Sequence, residues 1–160
     1  MASLCIALFA SALCLLAGCG QEENWLSSAE VESYQKQGIL VLNRQLLSLA
    51  ELESVTELLV AEVKKLPPGT AVETSGSLSA AHLRSPSILE VARLPKVVAM
   101  ASQLLGISKV DIFTTRILCK PPRVGVEVPW HQDSAYWPLK PLSVASFWLA
   151  LDDVPQKMGA

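Results

Sequence analysis

The sequence lacks a run of basic residues, and its charges are scattered and nearly balanced. Thirteen Lys and Arg stand against fifteen Asp and Glu, which gives a formal net charge of -2 over 160 residues. A nucleic-acid-binding surface needs clustered cations to neutralise phosphates, so DNA and RNA are excluded as expected partners. No internal repeat or low-complexity tract is present either, and the length predicts one folded domain.

Cysteine is scarce outside the N-terminal segment. Cys5, Cys14 and Cys19 all lie within the first 20 residues, which leaves Cys119 alone in the rest of the chain. A single thiol cannot form an internal disulfide, so a disulfide framework is excluded for the folded body. The fold must therefore rest on an apolar core, and 51% hydrophobic residues are enough to build one.

The first 20 residues lack any charged side chain. Their apolar stretch, Leu4 to Cys19, is 16 residues long, shorter than the roughly 20 residues that a membrane-spanning helix needs. We predict a secretory signal over residues 1–20 and a folded domain over 21–160, with no membrane span after cleavage. The predicted location is the secretory pathway or an organelle lumen. Two alternatives remain: a lipid anchor at Cys19, which ends a Leu-Ala-Gly-Cys lipoprotein pattern, and a buried helix.

Start and stop signals predict two helices in the next part of the chain. The first would end at Gly38, and the second carries apolar residues at three- and four-residue steps up to Pro67. Between them, the apolar run 39–42 predicts a buried strand. Both helices begin with the spacing of a capping box, Ser27 with Glu30 and Ser48 with Glu51.

The remainder of the chain changes from helical to strand patterning. Residues 69–87 are small and polar, which predicts an irregular loop. Prolines at the first helical turn then predict two helices, from Pro86 and from Pro95 to Gly106. Runs that are rich in Val, Ile, Phe and Thr, or that alternate in polarity, predict strands. Because the predicted helices come before these strands along the chain, the order indicates an α+β fold. The predicted strands cover residues 109–120, 124–131 and 142–151.

A short polar and aromatic stretch, PWHQDSAYWPLKP at residues 129–141, is the strongest candidate for a site. Residues two apart in a strand point to the same face, about 6.6 Å apart along the chain, so His131 and Asp133 would converge. An imidazole and a carboxylate suit Fe(II), which takes two histidines and one carboxylate and keeps open positions. By itself a His-x-Asp triplet is more often a surface turn. The aromatic pair Tyr136-Trp137, between two prolines, would wall a pocket.

Three stretches resemble the phytanoyl-CoA dioxygenase family of Fe(II)- and 2-oxoglutarate-dependent oxygenases, in order and nearly in spacing. They are TTRILCKPP, WHQDSAYWPLKP and VASFWLALDDVP, and YQKQGILVLNRQLLSLAEL is similar to the family's opening helix, glycine and strand. The resemblance covers about residues 28–160. It implies that N-terminal helices precede part of a double-stranded β-helix, the family's cupin-like jelly roll, with the barrel incomplete in this chain.

The resemblance also implies roles for five residues. His131 and Asp133 match the family's metal ligands and catalytic pair, and Trp148 matches a tryptophan beside 2-oxoglutarate. Arg116 and Lys120 fall where the family contacts this cosubstrate. A core aromatic at Trp148 and a strand-edge cation at Arg116 are the simpler alternatives. Because related halogenases replace the carboxylate by a small residue, Asp133 favours hydroxylation.

The activity that the resemblance implies is hydroxylation of a small organic or lipid-like substrate by dioxygen, with Fe(II) and 2-oxoglutarate. The family's second histidine and its cosubstrate-binding arginine do not appear among the 27 residues after Asp133. The other histidine, His82, lies in the irregular loop, where a surface or substrate-loop role is expected. We therefore expect a fragment that is catalytically incomplete. A non-catalytic remnant and an iron-free cupin-like binding module are the alternatives.

Overall fold

The computed structural model describes residues 24–67, 79–120 and 128–156, together with the backbone of a strand near the N-terminus. After that strand, the described chain consists of four helices followed by two strands, which is the predicted α+β order. The elements are β1 (Ser3–Ser11), α1 (Ser28–Gln37), α2 (Leu49–Lys64), α3 (Pro86–Ala92), α4 (Pro95–Leu105), β2 (Asp111–Lys120) and β3 (Val144–Ala150).

The three strands form one sheet in the order β2-β1-β3. β1 is antiparallel to both neighbours, so β2 and β3 run parallel to each other with one strand between them. Part of the segment predicted as a leader is therefore a central strand here. Cleavage of that segment stays a prediction, and Cys19 lies outside the described residues. The jelly roll also stays a prediction, because these strands make up one small sheet.

Both predicted capping boxes are present and fix where α1 and α2 begin. The Ser27 hydroxyl accepts the Glu30 N–H, while the Glu30 carboxylate accepts the Ser27 N–H at 2.8 Å. Ser48 and Glu51 repeat the arrangement, with 2.7 Å for the second bond. These bonds satisfy N–H groups that a helix start leaves without partners.

The predicted stop signals also act as expected. Gly38 has φ 73°, the left-handed conformation that glycine adopts without strain, and its N–H donates to the Tyr34 carbonyl. Gly106 ends α4 in the same way, with φ 67°. Pro86 and Pro95 occupy the first turns of α3 and α4, where no backbone N–H is needed.

The core lies where α2 and α3 pack near β2. Leu59 of α2, Ile88 of α3 and Ile117 of β2 are at most 2% exposed and belong to one apolar cluster. Cys119 and Leu151 join the same cluster, so the ends of β2 and β3 are tied to the helices. Burial of this apolar surface holds the strands in place and so positions the loop between them.

Two predicted strands are not formed in the described residues. The run 39–42 has no strand conformation, and Ile39 and Val41 are 63% and 69% exposed. An apolar run becomes a strand only when another strand accepts its hydrogen bonds, and none pairs with it within the described part of the chain. Residues 128–131 are also irregular, because Pro129 cannot donate to a ladder. Residues 124–127 lie outside the described residues.

The predicted irregular loop 69–87 is only partly described. Residues 69–78 lie outside the described residues, and the rest forms a short 3-10 turn at Ala81–Leu83 and the start of α3. Ser79 pairs with Arg116 by an isolated antiparallel bridge, so the end of this loop is attached to β2. Among the described helices, none has the length and apolar composition to cross a membrane.

Removal of the α2 cap should destabilise the fold. Ser48→Ala deletes the hydroxyl that accepts the Glu51 N–H, and we expect it to lower the free energy of unfolding by about 1 kcal/mol. Urea denaturation followed by circular dichroism measures the change. Ser54→Ala, an exposed position within the same helix, is the matched control and should be neutral or slightly stabilising. Equal effects of the two substitutions would contradict the capping role.

Acid should weaken the same cap. The backbone N–H of Ser48, followed by Lys96, lowers the pKa of Glu51 from 4.5 to about 2. A carboxylate whose pKa is lower in the folded chain stabilises the fold above pH 4.5 and loses that effect as the pH falls towards 2. We expect Glu51→Gln to flatten the decline of the melting temperature across this window. Glu53→Gln, at an exposed position of the same helix, should leave the decline as steep as in the unaltered chain.

Candidate active site

His131 and Asp133 converge, as the sequence predicts, although no strand runs through them. Gln132 between them is extended, with φ -118° and ψ 120°, and Asp133 then opens a short 3-10 turn that ends at Tyr136. Because the middle residue is extended, the side chains on either side of it share one face. His131 Nε2 lies 3.3 Å from Asp133 Oδ1.

The other ring nitrogen of His131 sets the tautomer. His131 Nδ1 lies 2.8 Å from the Pro129 carbonyl oxygen, which can only accept a hydrogen bond. Nδ1 therefore carries the proton and donates it, and in the neutral imidazole the Nε2 lone pair faces Asp133. Proteins commonly orient a metal-binding histidine by this kind of bond to a backbone carbonyl.

The pair has the chemistry of a cation site. A lone pair and a carboxylate oxygen repel each other at 3.3 Å unless a proton or a metal ion lies near both. Two neighbouring ligands on an octahedral metal, each at about 2.1 Å, are about 3.0 Å apart, which is close to this distance. One nitrogen and one oxygen suit a borderline metal such as Fe(II). Both side chains remain about two-fifths exposed, so the site is open to solvent.

A complete metal site is not assembled by the described residues. Among residues 24–67, 79–120 and 128–156, no group of three His, Cys, Asp or Glu side chains could hold a metal ion. His131 and Asp133 thus supply two of the three protein ligands that a facial triad needs.

A cavity of about 880 Å³ lies beside Asp133. Asp133, Trp137 and Trp148 line it, and Trp137 makes an edge-to-face contact with Phe113 at 5.4 Å between ring centres. The predicted aromatic wall is therefore half correct, because Tyr136 is 76% exposed and does not line the cavity. The rest of the lining is mostly apolar and comes from the 39–47 segment, α4 and β3, including Leu40, Leu42, Met100, Leu104 and Phe147.

The three residues predicted to contact the cosubstrate lie in different surroundings. Trp148 of β3 is 54% exposed and lines the same cavity as Asp133, so the alternative of a core aromatic is wrong. Arg116 lies in the middle of β2, opposite Ala7 of β1, and does not line this cavity. Lys120 ends β2, and its side chain lies outside the described residues.

One charged residue of the cavity was missed from the sequence. Arg44 lines the cavity, forms an ion pair with Glu30, and donates to the Trp25 carbonyl at 2.8 Å. The hydrogen bonds from Arg44 and then from Ser27 lower the pKa of Glu30 to about 2. In the sequence, the available signal for this role is that Arg44 is a single arginine between two helices with capping boxes. Glu30 neutralises the charge of Arg44, so this ion pair links α1 to the segment that follows it.

His82 is not the surface residue that its irregular loop predicts. It is 8% exposed, and both its backbone N–H and its Nδ1 contact Thr115 Oγ1 of β2, at 3.1 and 3.0 Å. Burial and then the charge of Arg84 lower the pKa of His82, so the ring is neutral near pH 7. The expected surface role is therefore wrong, and this histidine fastens its loop to β2.

Comparison with known proteins agrees with the motif. The family described as Phytanoyl-CoA dioxygenase (PhyH) matches residues 34–160. Two curated relatives, the ectoine dioxygenases of Bordetella bronchiseptica and Bordetella parapertussis, are each 30% identical over 132 residues. The match covers 75% of this chain and 41% of each relative, so the chain spans about two-fifths of their length. No solved structure matches.

The family match begins within α1 and covers the whole of α2 and the His131–Asp133 pair. This range includes every described helix and strand after α1 and all five predicted site residues. From its sequence match and its residue pattern together, the chain belongs to the phytanoyl-CoA dioxygenase family.

Proposed function

We propose that this chain supplies part of an Fe(II)- and 2-oxoglutarate-dependent dioxygenase that hydroxylates a small organic or lipid-like molecule. The observation that carries the proposal is the pairing of His131 Nε2 with Asp133 Oδ1 at 3.3 Å, with the ring oriented by the Pro129 carbonyl. Family membership supports dioxygenase chemistry in general. The substrate class and the cofactors are parts of the proposal that go beyond family membership.

His131 and Asp133 would hold the metal, and Asp133 also lines the cavity in which small molecules would bind. When bound, Fe(II) with 2-oxoglutarate supplies the oxidative decarboxylation and C–H hydroxylation that protein side chains cannot perform. The Pro129 carbonyl keeps His131 in the tautomer that presents a lone pair. Asp133 contributes the negative charge that neutralises part of the metal's charge.

The cavity supports the choice of substrate class. Its volume of about 880 Å³ falls within the range of ligand pockets, and its walls are mostly aliphatic and aromatic. Among the described residues of the lining, Arg44 is the one cation, and Glu30 already neutralises it. An apolar or weakly polar substrate would therefore bind there without leaving a charge unpaired. Trp148, on the same wall as Asp133, would contact the cosubstrate or substrate.

The His131–Asp133 pair leaves two components of the proposed site to be supplied by other residues. A facial triad needs a second histidine, and the far carboxylate of 2-oxoglutarate needs a cation. We propose that a histidine other than the two in these 160 residues completes the triad, because His82 is fastened to β2 and does not line the cavity. For the cation, Lys120 at the end of β2 is a candidate, and Arg116 is a weaker one, since it does not line the cavity. By themselves, the 160 residues are expected to bind metal and not to turn over substrate.

Metal binding tests the central pair directly. We expect Mn(II), an Fe(II) substitute that is stable in air, to bind the full chain, and His131→Ala or Asp133→Ala to weaken binding by about ten-fold or more. Electron paramagnetic resonance of free Mn(II) gives the affinity. Gln132→Ala, between the two ligands, is the matched control and should bind as the unaltered chain does. Equal affinity in all four proteins would overturn the proposal for this pair.

Turnover tests the expected incompleteness. Purified residues 1–160, supplied with Fe(II), ascorbate, 2-oxoglutarate and oxygen, should release no succinate above a protein-free blank. The physical reason is that two protein ligands leave the metal loosely held and 2-oxoglutarate without a counter-charge. Succinate formation that disappears in His131→Ala would show instead that these residues are sufficient.

A binding module without iron is the second candidate, and it is favoured by the lack of a third ligand within the described residues. In that case the apolar cavity would bind its ligand without metal, and His131→Ala would leave ligand affinity unchanged. Fluorescence of Trp137 and Trp148, which line the cavity, provides a readout of ligand binding that does not depend on turnover.

A further inference from the structure

A second cavity, of about 490 Å³, also borders α4. His82, the end of α3, α4 and the start of β2 line it. Of its lining residues only Val97 also lines the larger cavity, and neither His131 nor Asp133 belongs to it. Its volume suits a small molecule, and most of its walls are aliphatic.

The tautomer of His82 follows from its contact with Thr115. Thr115 Oγ1 is 1% exposed and already accepts the His82 backbone N–H at 3.1 Å, so its own hydroxyl hydrogen needs an acceptor. His82 Nδ1, at 3.0 Å, is the acceptor that the structure offers. A neutral imidazole that accepts at Nδ1 carries its proton on Nε2.

The Nε2–H of His82 is therefore a buried donor without an acceptor among the described residues. His82 is 8% exposed. Within the described part of the chain, the ring nitrogen that makes a hydrogen bond is Nδ1. Buried donors are nearly always satisfied by protein, water or ligand, so this one calls for an acceptor. His82 lines the cavity, which places a ligand atom within its reach.

The charges at the rim indicate a neutral ligand. Arg93 and Asp111 both line the cavity and both are exposed, and neither side chain forms an ion pair or hydrogen bond with another described side chain. Their opposite charges cancel, so the cavity selects neither an anion nor a cation. The inner walls, formed by Leu89, Ala92, Val97, Val110 and Ile112, favour an apolar body.

We propose that this second cavity binds a compact, uncharged, apolar molecule that carries one acceptor oxygen, such as a ketone, ester or amide, and that His82 Nε2–H donates to that oxygen. The site is separate from the proposed iron site and does not rest on the proposed function. It assigns a binding role to a histidine whose ring otherwise only fastens a loop.

Nuclear magnetic resonance of the full chain tests the proposal at the histidine itself. The chain has two histidines, so the His131→Ala variant assigns the ring signals of His82. The nitrogen shifts should show a protonated Nε2 and an unprotonated Nδ1. Three soluble probes with the same ring then separate the ligand classes: cyclohexanone, cyclohexanecarboxylate and cyclohexylammonium.

Cyclohexanone should shift the His82 ring signals saturably, and each charged probe should bind at least about five-fold more weakly. Cyclohexylammonium has no acceptor for the Nε2–H, and the charge of cyclohexanecarboxylate would lose hydration against aliphatic walls. The titration should be unchanged in His131→Ala, which separates this result from the fate of the proposed iron site. The opposite tautomer, no saturable shift, or tighter binding of a charged probe would each overturn the proposal.

Variants that fill the cavity from its exposed side give a second test. Val98→Trp, on α4, should weaken cyclohexanone binding by about ten-fold, because the indole occupies the volume of the ligand. Leu83→Trp, at a position 76% exposed, should act in the same direction and covers the case in which the first variant unfolds. Val128→Trp, the same change outside the cavity, is the control. Unchanged binding in both filled variants would contradict the site.

Discussion

The candidate site depends on one electrostatic constraint, which is that two acceptors face each other at 3.3 Å. His131 reaches this position because the Pro129 carbonyl takes the proton of Nδ1 and turns the Nε2 lone pair towards Asp133. With the imidazole neutral this arrangement is unfavourable, and it becomes favourable when a proton on Nε2 or a metal ion lies close to both atoms. Two side chains and one backbone carbonyl thus form a site that favours a positively charged species.

β2 connects this site with the rest of the molecule. Its inward residues Thr115, Ile117 and Cys119 are at most 5% exposed, and they tie the strand to the helical core. Thr115 also anchors His82, while Phe113 contacts Trp137 beyond the candidate ligands. One alternating strand therefore supplies apolar burial, a polar anchor for a loop, and the support for an aromatic wall.

Local signals in the sequence were sufficient for much of the fold and for the central pair. Capping boxes and glycine stops depend on neighbouring residues only, so α1 and α2 begin where Ser27 and Ser48 predict. The spacing of His131 and Asp133 likewise needed only one extended residue between them. The run 39–42 was misjudged because a strand needs a distant partner, which composition cannot reveal. The burial of His82 and the cavity position of Arg44 depend on the same kind of long-range contact.

One helix, α4, borders both cavities, and of the two only the larger is lined by a proposed metal ligand, Asp133. α4 contributes Met100 and Leu104 to the larger cavity and Val98 to the smaller one, while Val97 belongs to both linings. The buried residues Val97, Met100 and Ala101 hold α4 in the core. Because Val97 lies in both linings, a change of side-chain volume at this one position would alter the shape of both cavities.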